Sequence, residues 1–214
     1  MILWTVQDKS VLDILEQNKP YSVSNKHIIF PESEDDACNH SNYAYKWLVK
    51  KMQDQIGPAP KDVTYPIWGW YKRQEREDGK PDMRSWKAEP DTEEVVRLKL
   101  DIPDWEVLLT DFDDWHCALN YWYLPRNYAD ANAFDQILKE LNIHWLDINN
   151  WSIQSPELSQ IRKLVEKSWD RMIGVNYNPD TYCSLPWHYK TIQATFWQIK
   201  PEYVLNSEVF KAQH

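Results

Sequence analysis

Gln193 stands in the run Ile192-Gln193-Ala194-Thr195-Phe196-Trp197, where its neighbours are mostly apolar or small. Read as a strand, the run places Thr191, Gln193, Thr195 and Trp197 on one face and Ile192, Ala194 and Phe196 on the other. A buried glutamine needs partners for both ends of its amide. A flat indole beside hydrogen-bonding groups suits a planar ligand such as a nucleobase, a nicotinamide or a sugar ring. Trp68 and Trp70 offer a second wall of this kind if Tyr65-Pro66-Ile67-Trp68-Gly69-Trp70-Tyr71 is extended, because both then project from one face. Thr5 and Gln7, two polar groups on one face of a predicted first strand, raise the same question as Gln193. The competing use of these rings is plain packing of strands against helices, and with 13 Trp in the chain, packing claims most of them.

The second group is acidic. Asp111, Asp113 and Asp114, with His116 close behind, can bind Mg²⁺ or divide into an acid and a base if their environments differ. The same cluster precedes a predicted helix, where an aspartate cap and early acids are ordinary structure. Cys38-Asn39-His40, His116-Cys117 and Cys183…His188 lack the second half of a zinc motif, and no H-E-x-x-H occurs, so the sequence predicts no metal centre. There is no G-x-S-x-G elbow. Cys117 beside His116 is no nucleophile–base pair, since adjacent side chains rarely aim at one another. Four glycines in 214 residues leave neither G-x-G-x-x-G nor G-x-x-x-x-G-K-[ST], which removes the glycine-loop nucleotide motifs but not nucleotide binding by other means.

The balance of 24 Lys+Arg against 33 Asp+Glu gives a formal charge of −9. Broad electrostatic binding to nucleic acid or anionic membrane is therefore not expected, although a local basic groove is compatible with it. A mean hydropathy of −0.71 and the lack of a roughly 20-residue apolar run predict no membrane span. Three scattered cysteines and an opening stretch without a basic-then-apolar leader predict a cytoplasmic protein.

The elements that must position these residues can be read from spacing. Ile2 to Gln7 is a predicted strand. Ser10 can cap a short helix with the stripe Val11, Ile14 and Leu15. Ser41 or Asn39 can cap the next helix, marked by Tyr45, Leu48, Val49, Met52 and Ile56 and ended by Gly57-Pro58-Ala59-Pro60. Residues 72–90 are charged and predicted to be an exposed loop. Val96, Leu98, Leu100 and Ile102 mark a strand, 106–110 another, and a helix follows through Leu119 and Trp122. Ala133, Phe134, Ile137, Leu138 and Leu141 mark a helix. Ser155-Pro156-Glu157 starts the clearest one, whose stripe runs to Met172 before Gly174. After the strand at 191–199, Pro201 precedes a tail expected to form a short turn or helix. Strands and helices mix without regular alternation, so the expectation is one α+β domain over residues 1–214, with a small mixed or antiparallel sheet and several packed helices.

Five blocks of the chain resemble a bacterial family known only as a domain of unknown function, number 3841. They are Leu3-Trp4-Thr5-Val6-Gln7, Tyr65-Pro66-Ile67-Trp68-Gly69-Trp70, Lys80-Pro81-Asp82-Met83-Arg84, the stretch Leu108-Leu109-Thr110-Asp111-Phe112-Asp113-Asp114-Trp115-His116, and Ile192-Gln193-Ala194-Thr195-Phe196-Trp197. A fainter similarity of layout is to ADP-ribosyltransferases, which open with a strand bearing a polar residue that meets NAD and close with a strand bearing a catalytic Glu or Gln. That resemblance implies an ADP-ribosyltransferase-like fold with NAD as cofactor. It also implies Thr5 and Gln7 on the amide or ribose, Trp68 or Trp70 beside the nicotinamide, Arg84 on the pyrophosphate and Gln193 in the catalytic place. Gln193 departs from the usual glutamate: it is neutral and supplies hydrogen bonds only. Fold likeness alone assigns no chemistry.

The expectation is thus a protein that binds NAD or a related nucleotide, with transfer of ADP-ribose to an unknown acceptor if it is active. The rival is an acidic, Trp-rich interaction protein that engages a protein partner, with the Glu32-Ser33-Glu34-Asp35-Asp36 run offered to a basic surface. Carbohydrate binding between stacked Trp and paired acids ranks behind both.

Overall fold

Alternation in the first eight residues makes β1 (Ile2–Asp8), and every later strand is arranged around it. The computed structural model describes residues 1–23, 36–74, 76–84, 86–87, 92–173 and 186–211, with the side chains of residues 36–39 excepted. The acidic run at 32–36, Cys38, Cys183 and Gly174 lie outside the described side chains. After β1 come α1 (Ser10–Glu16), α2 (Asp36–Ile56), β2 (Ile67–Lys72) and β3 (Glu94–Asp101). β4 (Leu108–Asp111) runs directly into α3 (Phe112–Leu119), followed by α4 (Tyr128–Glu140), α5 (Trp145–Ile148) and α6 (Pro156–Ser168). β5 (Ile192–Phe196) and β6 (Val204–Lys211) complete the set.

The six strands form one antiparallel sheet in the order β4-β5-β2-β1-β3-β6. This is an α+β domain. One face carries Leu3, Ile67, Val96, Leu98, Leu100, Ala194 and Phe196, covered by Val11 and Leu15 of α1 and by Ile102, Val107, Ile199 and Tyr203. At the β4-β5-β2 end, Leu108 and Trp68 on the opposite face join the helical core. That core is built on Leu48 and Met52 of α2, Trp115 of α3, Phe134 of α4, Ile148 of α5 and Ile161 and Val165 of α6.

Several boundaries differ from the expected ones for identifiable reasons. Ser10 is the first residue of α1 and is itself held by Asp8, whose Oδ1 accepts the Ser10 N–H at 2.8 Å. α2 starts at Asp36, upstream of both Asn39 and Ser41, so neither is its cap. Its end is as expected: Gly57 takes φ +95°, which favours glycine, and its carbonyl accepts the Trp197 indole N–H at 3.1 Å. α3 stops at Leu119, short of Trp122, because Tyr121 turns to φ 54°. α6 begins as read, with Ser155 Oγ accepting the Leu158 N–H at 3.0 Å, but tightens into a 3₁₀ turn at Trp169–Met172. The tail is a strand, not a turn or helix: only Pro201–Tyr203 forms a 3₁₀ turn before β6 pairs with β3.

The charged segment after β2 is less exposed than its composition implies. Gly79, at φ +64°, passes so close to β2 that a Cβ there would meet the Tyr71 carbonyl oxygen at 2.7 Å. Pro81 and Met83 are buried, and the Pro81 carbonyl accepts Arg97 Nη1 at 2.7 Å.

Candidate functional site

Register brings four residues into one row across the sheet. Trp4 faces Trp70, Trp70 faces Gln193, and Gln193 faces Thr110, on strands β1, β2, β5 and β4 in turn. Residues opposite one another in antiparallel strands share a face. The next row on that face holds Trp68, Thr195 and Leu108. Of the residues singled out from the sequence, the fold therefore gathers Trp68, Trp70, Gln193 and Thr195.

Two facing residues of the first row each carry a buried oxygen without a partner. Gln193 is 8% exposed, yet its Oε1 receives no hydrogen bond, and the buried Oγ1 of Thr110 opposite makes none. Buried polar atoms are nearly always paired, so two orphans on facing residues require an explanation. Thr195 differs: its hydroxyl donates to the Leu108 carbonyl at 3.3 Å and is satisfied within the sheet. Trp68 packs against Trp115 at 5.2 Å and Tyr45 at 6.1 Å, so one of the expected ligand walls belongs to the helical core. Trp70 is less committed. It is half-buried, tilted against Phe112 at 5.6 Å, and carries the Arg73 guanidinium 4.7 Å from its ring centre.

Four of the expected residues lie elsewhere or have other work. Thr5 and Gln7 alternate with Trp4 and so point to the opposite face, opposite Leu98 and Val96. There the Thr5 hydroxyl donates to the Trp68 carbonyl and the Gln7 amide to Thr5 Oγ1, each at 2.7 Å. Trp197 is buried and bonded to Gly57 at the end of α2. Arg84 has a side chain 90% exposed and is held on Asp82 through Nε at 3.0 Å and Nη2 at 2.6 Å. The arginine's double hydrogen bond holds the Asp82 carboxyl well below the usual range.

The acidic cluster adjoins the row through β4. Asp111 follows Thr110 and caps α3, its Oδ1 accepting the N–H groups of Asp113 at 3.0 Å and Asp114 at 3.4 Å. Its other oxygen pairs with the buried Lys190 at 2.5 Å. This capping role accounts for one of the three aspartates. Asp114 is half-buried, and burial together with the Asp111 charge lifts its carboxyl to about 7. Asp113 is exposed and raised for the same two reasons. The His116 ring lies edge-on to Phe112 at 4.7 Å, with Nδ1 2.9 Å from the Phe112 carbonyl. Among the described residues no group of three or more His, Cys, Asp or Glu is arranged to hold a metal ion, and no helix is long and apolar enough to cross a membrane.

Spacing overlooked three members of this neighbourhood. Thr110 had a weak signal, a polar residue in a mostly apolar strand. Lys190 and Lys72 had none, since charged residues beside a strand read as exposed. Lys72 is in fact fully buried, donating through Nζ to the carbonyls of Gln74, His188 at 3.0 Å and Lys190 at 3.1 Å. It thereby fastens the 3₁₀ turn Trp187–Tyr189 to β2 and sets the position of Lys190.

A six-stranded antiparallel sheet with α2 to α6 packed at one end of one face and α1 on the other defines the structural class, α+β. Within that class the chain belongs to the family described as "Domain of unknown function (DUF3841)", whose model matches residues 2–205. No curated protein and no solved structure matches the chain significantly.

Proposed function

We propose that this protein binds a nucleotide-like ligand, NAD first among them, at the row Trp70–Gln193–Thr110. The observation that carries the reading is the pair of buried, unpartnered oxygens on Gln193 and Thr110. A carboxamide answers both: its N–H₂ donates to Gln193 Oε1, and its carbonyl accepts from the Thr110 hydroxyl. The Trp70 ring beside them supplies a flat wall. Thr5, Gln7 and Arg84 take no part in this reading, because they lie on the other face or are bound to Asp82.

If the bound NAD reacts, the glycosidic bond to nicotinamide breaks, the ribose carbon bonds to the acceptor, and the acceptor's proton needs a base. Of the acids that adjoin the row through β4 at the start of α3, Asp114 would take it, its carboxyl lifted by burial and the Asp111 charge. Gln193 would orient the ligand through its amide without adding charge.

Calorimetric titration with NAD, with ADP-ribose and nicotinamide as controls, tests the reading. Saturable binding of NAD that weakens at least tenfold in both Gln193→Ala and Thr110→Val is expected. Absence of heat from folded protein with all three ligands, or unchanged binding in both variants, overturns it.

A second reading, engagement of a protein partner, has one observation in its favour. Trp122, Trp145 and Leu146 are each at least half exposed, and the Asn149 side chain donates to the Asn120 carbonyl at 3.2 Å, which ties their two segments together. Large exposed apolar groups held close to one another are the usual mark of a contact surface.

A further inference from the structure

The electrostatics of the chain are reversed in one place. A groove of about 550 Å³ between α2 and α6 is lined by Lys46, Lys50, Lys51, Lys163 and Lys167, against two acids, Glu166 and Asp170. Both acids are already engaged. Glu166 Oε1 accepts the Tyr121 hydroxyl at 2.7 Å, and Asp170 pairs with Lys51 at 2.6 Å. Lys46, Lys50, Lys163 and Lys167 form no ion pair among the described residues, and Lys46 meets only the Tyr43 ring, at 5.9 Å.

The spacing sharpens the point. Lys46 and Lys50 are four apart on α2, and Lys163 and Lys167 are four apart on α6. Like charges at this spacing repel and cost each helix a few tenths of a kcal/mol. In a chain with nine more acids than bases, the one carboxylate between either pair is Glu166, which accepts the Tyr121 hydroxyl and leaves the groove with a surplus of positive charge. The charges are also strung along the groove and not gathered at one point, which suits a chain of anions. Two aromatic rings stand among them: Tyr43, 39% exposed and stacked on Trp151 at 4.2 Å, and the half-buried Trp47, set edge-on to Trp169 at 5.7 Å.

A basic groove interleaved with aromatic rings is the arrangement that holds single-stranded nucleic acid, with lysines on phosphates and rings beneath bases. Lysines without an arginine fork give point-charge contacts that read no sequence. We infer that the α2–α6 groove is a binding site for a short single-stranded oligonucleotide, held through its phosphates and largely independent of sequence. An acidic peptide would match the charge but leaves Tyr43 and Trp47 without a role. The site shares no residue with the row at Gln193.

The test is fluorescence anisotropy of labelled ten-nucleotide dT and U strands with the whole chain, alongside a labelled decaglutamate peptide. Saturable oligonucleotide binding is expected at 50 mM salt. It should weaken on the order of 20-fold at 200 mM, the loss for about three phosphate contacts at a slope of roughly 0.7 each. The triple variant Lys50→Glu, Lys163→Glu, Lys167→Glu should lose binding at least tenfold while its circular dichroism spectrum is unchanged, and Tyr43→Ala should weaken it without altering the salt slope. Should the triple variant misfold, Lys50→Gln with Lys167→Gln answers the same question with charge removed and not reversed. Gln193→Ala should bind the strands as the parent does. No oligonucleotide binding at 50 mM salt, full binding by charge-removed variants, or tighter binding of the peptide than of either strand would each overturn the assignment.

Discussion

Asp114 gives the residue scale its clearest measurable consequence. The folded protein holds this proton to about pH 7, whereas an ordinary aspartate releases it near 3.8. Between those values the folded state binds more protons than the unfolded one, so the contribution of Asp114 to stability falls as pH rises and is lost above 7. Asp114→Asn removes the penalty. We expect the variant to be more stable than the parent by about 1–2 kcal/mol at pH 8, after allowance for solvent around the half-buried group, with the gap narrowing toward pH 5. Urea midpoints of both proteins at the two pH values check this, and a gap that widens at low pH would contradict it. At this scale the sequence was informative where chemistry broke a pattern. Gln193 interrupts a run of apolar and small residues and carries an unpaired oxygen, whereas Thr110, which carries another, precedes Asp111 and stood out only weakly. The sequence was silent on Lys72 and Lys190, because only tertiary packing reveals that a lysine's partners are buried carbonyls or a buried aspartate.

At the scale of elements, legibility followed burial. α6 could be read from its first three residues, since capping is local chemistry. β5 could be read from alternation, since Gln193 and Thr195 interleave with Ile192, Ala194 and Phe196 even though all five are buried. β6 could not: it is an edge strand, mostly exposed, and the sequence around Asn206 and Ser207 carries no clean two-residue period. α5 is a single turn, too short for a stripe, and its stability is borrowed from α6. Arg162 supplies it. Its guanidinium lies within hydrogen-bond reach of the carbonyls of Asp147, Ile148, Asn150 and Ile153, at 2.7–3.4 Å, and lies 4.5 Å from the Trp151 ring centre. Arg162→Met should leave these carbonyls unpaired and cost about 3 kcal/mol, seen as a lower thermal midpoint. The loss should be accompanied by faster amide exchange in residues 145–153, while the sheet retains its protection.

For the whole molecule, the Trp content resolves into distinct uses. Trp115, Trp169 and Trp197 are buried in the helical core, Trp4 lies on the sheet among Lys80, Arg97 and Lys99, and Trp105, Trp122 and Trp145 are exposed. No composition count could have divided them, because an indole serves core, cation and solvent boundary alike. The sheet as a whole depends on its last strand. β6 covers the edge of β3 from Glu94 to Leu100, and Glu208 neutralises the buried Arg97 at 2.7 Å. A chain ending at Tyr203 would leave that edge open and that cation unpaired. We expect it to elute as aggregates in size-exclusion chromatography under conditions where the full chain gives one peak. A monomeric, fully soluble truncation would show that the edge needs no cover.

The order of strands has a consequence in time. β1, β2 and β3 all lie within the first 101 residues and can pair as soon as they are made. β4 cannot join them, because its place in the sheet is reached only through β5, which is synthesised more than eighty residues later. Until then β2 presents a bare edge, and the helices of the 112–168 stretch have only part of a surface to settle on. The strand that bridges β4 to β2 carries Gln193, the residue on which the ligand proposal rests. The bridging of the two parts of the sheet and the assembly of the proposed row therefore come in a single late step, and a chain interrupted before it has neither.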